Sequence, residues 1–145
     1  MAVVLWSEAT ALSDIAGTAL NGLQIGNTAI LSDVDNTSAL TARRLNCFFR
    51  INLGSISPTL APSMIIRIFR KIGGVTPTRN ATIFSSGESR AIAMVPTAGA
   101  CVYDSPVFIL PGPFIFGVEI INNTNVTFAA SGNSVIPYLW TEEMP

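Results

Sequence analysis

The stretch Arg44-Leu45-Asn46-Cys47-Phe48-Phe49-Arg50-Ile51-Asn52-Leu53 decides the fold class. Leu45, Cys47, Phe49, Ile51 and Leu53 fall on one side of a two-residue period, and Arg44, Asn46, Arg50 and Asn52 fall on the other. Successive side chains of a strand point to opposite faces, so this pattern is that of a half-buried β-strand. The same pattern recurs outward from it. Ser63 to Ile72 sets Met64, Ile66, Ile68 and Ile72 against Arg67 and Lys71, and it stops at Gly73-Gly74. Ala81 to Phe84, Arg90 to Val95 and Pro106 to Leu110 are shorter strand candidates, each followed by turn-forming or loop-like residues.

In the last third, Phe114, Phe116, Val118 and Ile120 alternate with Ile115, Gly117, Glu119 and Ile121. Asn122-Asn123-Thr124-Asn125 then supplies a turn, and Val126 to Ala130 resumes in β style, which reads as a hairpin. A turn at Ser131-Gly132-Asn133 leads into Ser134 to Trp140, so three consecutive antiparallel strands are expected there. Roughly eight strands at 8–12-residue spacing predict an all-β, antiparallel β-sandwich of jelly-roll type. Residues 31–145 form its single domain, with residues 1–30 as an N-terminal arm of the same domain. In that arm Leu12, Ile15, Ala16, Ala19, Leu20 and Leu23 have helical spacing, but Gly17, Gly22 and several threonines oppose it. Either one short helix or an irregular arm fits.

Apolar residues make up 49% of the 145-residue chain, whereas charged residues make up only 12%, against a usual share of about 25%. A soluble monomer keeps a charge-rich surface, so the shortage predicts that partners cover much of this one. No run offers the ~20 unbroken apolar residues of a membrane span, because Pro111-Gly112-Pro113 cuts the most apolar stretch. The start Met1-Ala2-Val3-Val4-Leu5-Trp6 lacks a leading basic region and meets Glu8, so it does not read as a secretion signal. The expectation is a chain kept in the cytoplasm or in a particle assembled there, with Cys47 and Cys101 as two free, buried thiols.

All eight bases, Arg43, Arg44, Arg50, Arg67, Arg70, Lys71, Arg79 and Arg90, lie between positions 43 and 90, where Glu88 is the only acid. This segregation makes either a basic face for an acidic partner or two halves that neutralise each other once folded. The second is preferred, because strands from both halves must share sheets. The net charge of −1 gives no overall case for nucleic acid, and no direct nucleic-acid binding is expected. A base-stacking module built on Phe48, Phe49, Phe69, Tyr138, Trp140 and the nearby arginines would show steep salt dependence.

The chain has no histidine, which removes Ser-His-Asp and Cys-His chemistry and leaves two isolated cysteines without a zinc pattern. No catalytic residue, cofactor or metal is expected. Asp33-Val34-Asp35-Asn36 lacks the glycine and glutamate of a calcium loop and reads as an Asx turn. Sequons at Asn36, Asn80, Asn122 and Asn125 read as coincidences of Asn- and Thr-rich turns.

Leu110-Pro111-Gly112-Pro113-Phe114, Ile121-Asn122-Asn123-Thr124, Phe128-Ala129-Ala130-Ser131-Gly132-Asn133-Ser134 and Pro137-Tyr138 resemble the ending of jelly-roll cement, or capsid decoration, proteins of tailed bacteriophages. The likeness extends more loosely to Arg44–Ser57 and to Leu20-Asn21-Gly22-Leu23, about half the chain in all. Between Ala98 and Pro106 the chain is shorter than the polar loop of such proteins. The resemblance implies a non-enzymatic virion protein on the capsid surface that binds the assembled major capsid protein, self-associates as a dimer or trimer, and bridges neighbours. Interface candidates are Val3, Val4, Leu5, Trp6, Ile136, Tyr138 and Trp140, apolar at the ends of the chain and out of strand phase. The alternative is a receptor- or carbohydrate-binding β-sandwich of a phage tail or fibre, for which Trp140 with Asn133 is the one pair to propose.

Overall fold

A computed structural model describes residues 5–6, 9–36, 46–59, 61–71, 88–110 and 115–143. The first half of the chain gives β1 (Leu5–Trp6), β2 (Thr10–Ala11), β3 (Thr28–Ile30), β4 (Val34–Asp35), β5 (Asn46–Ile56) and β6 (Ser63–Lys71). The second half gives β7 (Glu88–Ala93), β8 (Gly99–Asp104), β9 (Phe108–Ile109), β10 (Ile115–Asn123), β11 (Ser134–Trp140) and β12 (Glu142–Glu143). Among the described residues there is no helix, and so none long and apolar enough to cross a membrane.

The strands pair as mirror images about the β6–β7 connection. β6 pairs with β7, β5 with β8 and β9, β3 and β4 with β10, β2 with β11, and β1 with β12, all antiparallel. The chain is thus one long hairpin, rolled up so that β10 also pairs with β6 and β11 with β5. Rolling yields two five-stranded sheets, ordered β3-β10-β6-β7 and β2-β11-β5-β8, with β4 on β10 and β9 on β5. That order is a jelly-roll β-sandwich, the expected fold.

The two-residue period explains the core. Cys47, Phe49, Ile51 and Leu53 of β5 and Val135 and Leu139 of β11 face Met64 and Ile66 of β6 and Phe116, Val118 and Ile120 of β10. Pro137 sits inside β11 without harm, because its missing N–H falls on the β2 side, where the Pro137 carbonyl accepts from Leu12 N at 2.9 Å. Two ion pairs of the described residues join a base of the middle segment to an acid of a flank at paired positions: Arg50–Asp104 at 2.9 Å and Arg67–Glu119 at 3.4 Å. These contacts match the preferred reading of the charge segregation.

Several expectations are corrected. The N-terminal arm, by contrast, follows the irregular alternative, with no helix among its described residues. It turns through Gly17 and Gly22, both with positive φ, and buries Ile15, Leu20 and Leu23 in the core. Val126 to Ala130 is not a strand, and β10 and β11 lie in different sheets, so the expected hairpin and three-strand series are absent. The reason is Asn122, whose side chain supplies the turn's hydrogen bonds. Its Nδ2 donates to the Leu23 and Val126 carbonyls, and its Oδ1 accepts from Thr124 N and Oγ1. The following chain is diverted onto the arm, where Phe128 N donates to the Leu23 carbonyl.

Conversely, Gly99–Asp104 forms β8 where no strand was expected. Of Pro106 to Leu110 only Phe108–Ile109 is strand, and Val34–Asp35 is a strand on β10 in place of an Asx turn. Cys47 is buried but Cys101 is only half-buried, and both are free thiols. The expected strand Ala81 to Phe84 lies outside the described residues.

Candidate functional site

The outer face of the β2-β11-β5-β8 sheet departs from an ordinary solvated surface. Along β11, Ser134, Ile136, Tyr138 and Trp140 alternate outward with the buried Val135, Pro137 and Leu139. Register places Ile136 beside Arg50, Tyr138 beside Phe48, and Trp140 beside Asn46. Val102 of β8 and Ile109 of β9 complete the face at 61% and 64% exposed, in a region where polar residues are the norm.

The aromatic side chains hold one another. Phe48 and Tyr138 stack with centroids 4.9 Å apart and planes 2° from parallel, and Trp140 meets Phe48 edge-on at 5.8 Å. Such pairs add about 0.5–1.5 kcal/mol each beyond burial, which fixes the rings before any partner arrives. The Arg50 guanidinium carbon lies 5.3 Å from the Tyr138 ring centroid. Its Nε and Nη2 both donate to the Asp104 carboxylate at 2.9 Å. Those bonds, reinforced by the charge, hold Asp104 below the usual carboxylate range. Arg50 and Asp104 therefore neutralise each other on this face.

Of the residues singled out from sequence, Ile136, Tyr138 and Trp140 are brought together here, each half-buried. Leu5 and Trp6 form β1, which pairs with Glu143 and Glu142 of β12 as a separate two-stranded sheet. Val3 and Val4 lie outside the described residues. Sequence reasoning missed Val102 and Ile109, and it named Phe48 only as a base-stacking candidate and not as part of this face. Phe48 was recoverable, because it occupies the outward phase of the stretch that decided the fold. The proposed pair Trp140 with Asn133 is not formed. Asn133 precedes β11 at the opposite end from Trp140, and it is buried with its amide engaged: Oδ1 accepts from Gly54 N, and Nδ2 donates to Asn21 Oδ1 and the Ala129 carbonyl. The sequons at Asn36 and Asn122 are likewise buried.

One further concavity, of about 470 Å³, is lined by Leu12, Ser13, Asp14, Ile15, Ser32, Asp33 and Asp35. Asp14 has a structural task there, since its Oδ1 accepts from Ala16 N at 2.9 Å and Val135 N at 2.7 Å, tying the arm to β11. Among the described residues no group of three His, Cys, Asp or Glu could hold a metal ion.

Neither the protein-family models nor the curated proteins give a match to this chain. Among solved structures, a family 16 carbohydrate-binding module aligns with 91% of this chain and 82% of its own, at 11% identity and a TM-score of 0.34. The strand order and the ring contacts define a jelly-roll β-sandwich with an apolar, aromatic outer face.

Proposed function

We propose that this chain is a structural, non-enzymatic virion protein that binds and stabilises the assembled capsid shell of a tailed bacteriophage, with the Phe48–Tyr138–Trp140 face as its docking surface. One observation carries the reading: the outer face of the sheet is apolar and aromatic, and the only charges placed on it by the described strands, Arg50 and Asp104, neutralise each other. Such a face gains by excluding water against another protein, at about 25 cal/mol per Å² of apolar area. Many copies on a symmetric shell add avidity, so each contact can be weak. The resemblance of the Asn122–Asn133 and Pro137–Tyr138 segments to cement proteins supports the same reading. In this chain those segments lock the arm and build β11, between β2 and β5.

The same rings favour a second reading, carbohydrate binding at a tail or fibre. Sugars stack on open aromatic faces, and here one face of both Phe48 and Tyr138 is covered by the other ring. That arrangement weakens the second reading relative to the first.

Co-sedimentation with empty shells of the encoding phage tests the proposal. The wild-type chain should pellet with shells at micromolar concentration, and a Phe48→Ser/Tyr138→Ser variant of unchanged fold should stay in solution. A wild-type chain left in the supernatant refutes the shell reading, and glycan-array binding lost in the same variant establishes the second.

A further inference from the structure

The two long edges of the sandwich are not protected alike. Edge strand β7 carries the exposed Arg90, the kind of charge that keeps an edge from recruiting another strand. Edge strand β8, Gly99-Ala100-Cys101-Val102-Tyr103-Asp104, has neither lysine nor proline. Its one charge, Asp104, is neutralised by the two hydrogen bonds from Arg50.

The ladder shows which backbone groups that edge presents. Ser105 N donates to the Phe49 carbonyl at 2.9 Å, and the register pairs Arg50 with Asp104 and Asn52 with Val102. Antiparallel hydrogen bonding alternates, so Tyr103 and Cys101 direct their N–H and C=O groups at β5, while Ala100, Val102 and Asp104 direct theirs away. The same alternation along β5 is visible on its other side, where Gly54 N turns toward β11 and donates to Asn133 Oδ1. Among the described residues no strand pairs with the free edge of β8, which ends its sheet. Ala100, Val102 and Asp104 are also exposed.

We propose that β8 pairs edge to edge with β8 of a second copy of this chain, antiparallel, about a two-fold axis at Val102. In that register Val102 faces Val102 of the other copy, and Ala100 faces Asp104 in both directions. All the outward N–H and C=O groups of these three residues then find partners. The interface is isologous, as a two-fold dimer requires. No uncompensated charge meets its like, because Asp104 arrives with Arg50 attached.

Area gives the pairing a purpose. Four strands about 4.8 Å apart and strands of this length make one outer face of roughly 450 Å², about half of the ~800 Å² per partner that a stable interface buries. Joining two copies through β8 makes one continuous sheet whose two aromatic faces together approach that size. The edge pairing stands without the capsid reading. The use of the joined face rests on it.

The test is made on the full chain in isolation. Sedimentation equilibrium should give a dimer at micromolar concentration. The Val102→Pro variant should be monomeric yet retain its melting temperature within a few degrees, because the lost N–H points away from β5. In a Cys101→Ser background, Val102→Cys should form an intermolecular disulfide under mild oxidation, and Ser89→Cys on the β7 edge should not. A wild-type chain that is monomeric at ~100 μM overturns the proposal, as does a dimer that persists in Val102→Pro without crosslinking at position 102. If the chain is monomeric but still pellets with shells, only the edge pairing falls. If it is dimeric but does not pellet, only the shell reading falls.

Discussion

Two faces of the same two strands are both apolar, and they answer to different demands. On the inner side of β5 and β11, Phe49, Ile51, Leu53, Val135 and Leu139 are wholly enclosed. On the outer side, Phe48, Ile136, Tyr138 and Trp140 are half open, yet their rings are already ordered against one another. An antiparallel sheet that serves only its own fold keeps its outer face polar. The inner face is thus explained by the monomer, and the proposed docking is what would give the outer face its reason. This comparison predicts that inner substitutions unfold the chain, and that outer substitutions leave the fold and remove the docking.

The largest effect should come from Phe49→Ala. Phe49 is fully buried and packs edge-on against Phe108 at 5.7 Å. Truncation leaves a cavity in a closed sandwich and should cost about 3–5 kcal/mol, read by urea denaturation. A loss below 1 kcal/mol would show that the core is slack and the contrast between faces false.

Gly54→Ala comes next. A Cβ at Gly54 would collide with the Ser131 carbonyl oxygen and stand 2.7 Å from the Ala129 Cβ. Gly132, at φ 80°, brings that loop onto Gly54. The added methyl must push the loop off β5 and strain the Asn133–Gly54 hydrogen bond, costing roughly 1–3 kcal/mol. The same denaturation measurement checks it, and an unchanged midpoint would mean that the loop is free to move.

Tyr138→Ala tests the other face. It removes one ring of the stack and should lower stability by no more than about 1.5 kcal/mol, seen as a small fall in melting temperature. Shell co-sedimentation should meanwhile drop at least tenfold. A variant that loses more stability than Phe49→Ala would make the outer rings part of the fold and not of an interface.

How legible this contrast was in the sequence depended on the kind of signal. Cys47, Phe49, Ile51 and Leu53, and Met64, Ile66 and Ile68, announce their inner face because alternation with polar neighbours is a local property. β8 does not, since Gly99, Ala100 and Asp104 disfavour a strand and leave Val102 and Tyr103 too short a run to announce one, so its conformation comes from pairing with β5. The hairpin expected after β10 fails for a different reason. Its fate is set by side-chain hydrogen bonds from Asn122 and Asn133 to the arm, some 99 and 112 residues distant in sequence, which no local pattern reveals. Of the site, Ile136, Tyr138 and Trp140 were legible because β11 is apolar in both phases. Phe48 was equally legible, because it stands in the polar phase of the stretch Arg44–Leu53, between Asn46 and Arg50.

The smallest perturbation is chemical labelling, which changes no residue. Cys47 lies on the inner face, immediately beside Phe48 on the outer one, and burial pushes its thiol up to about 12 against a weaker opposing backbone hydrogen bond from Tyr138. At pH 8 that leaves roughly one part in 10⁴ as the reactive thiolate. The half-buried Cys101 has no such enclosure. Iodoacetamide should therefore modify Cys101 in the native chain and leave Cys47 untouched, while both react in denaturant, as peptide mass spectrometry would show. Repeating the labelling on Tyr138→Ala sharpens the point. If the outer face is separate from the fold, Cys47 stays protected when the ring above its neighbour is gone. Rapid modification of Cys47 in that variant would mean that the aromatic face seals the core, and that the two sides of these strands serve one purpose.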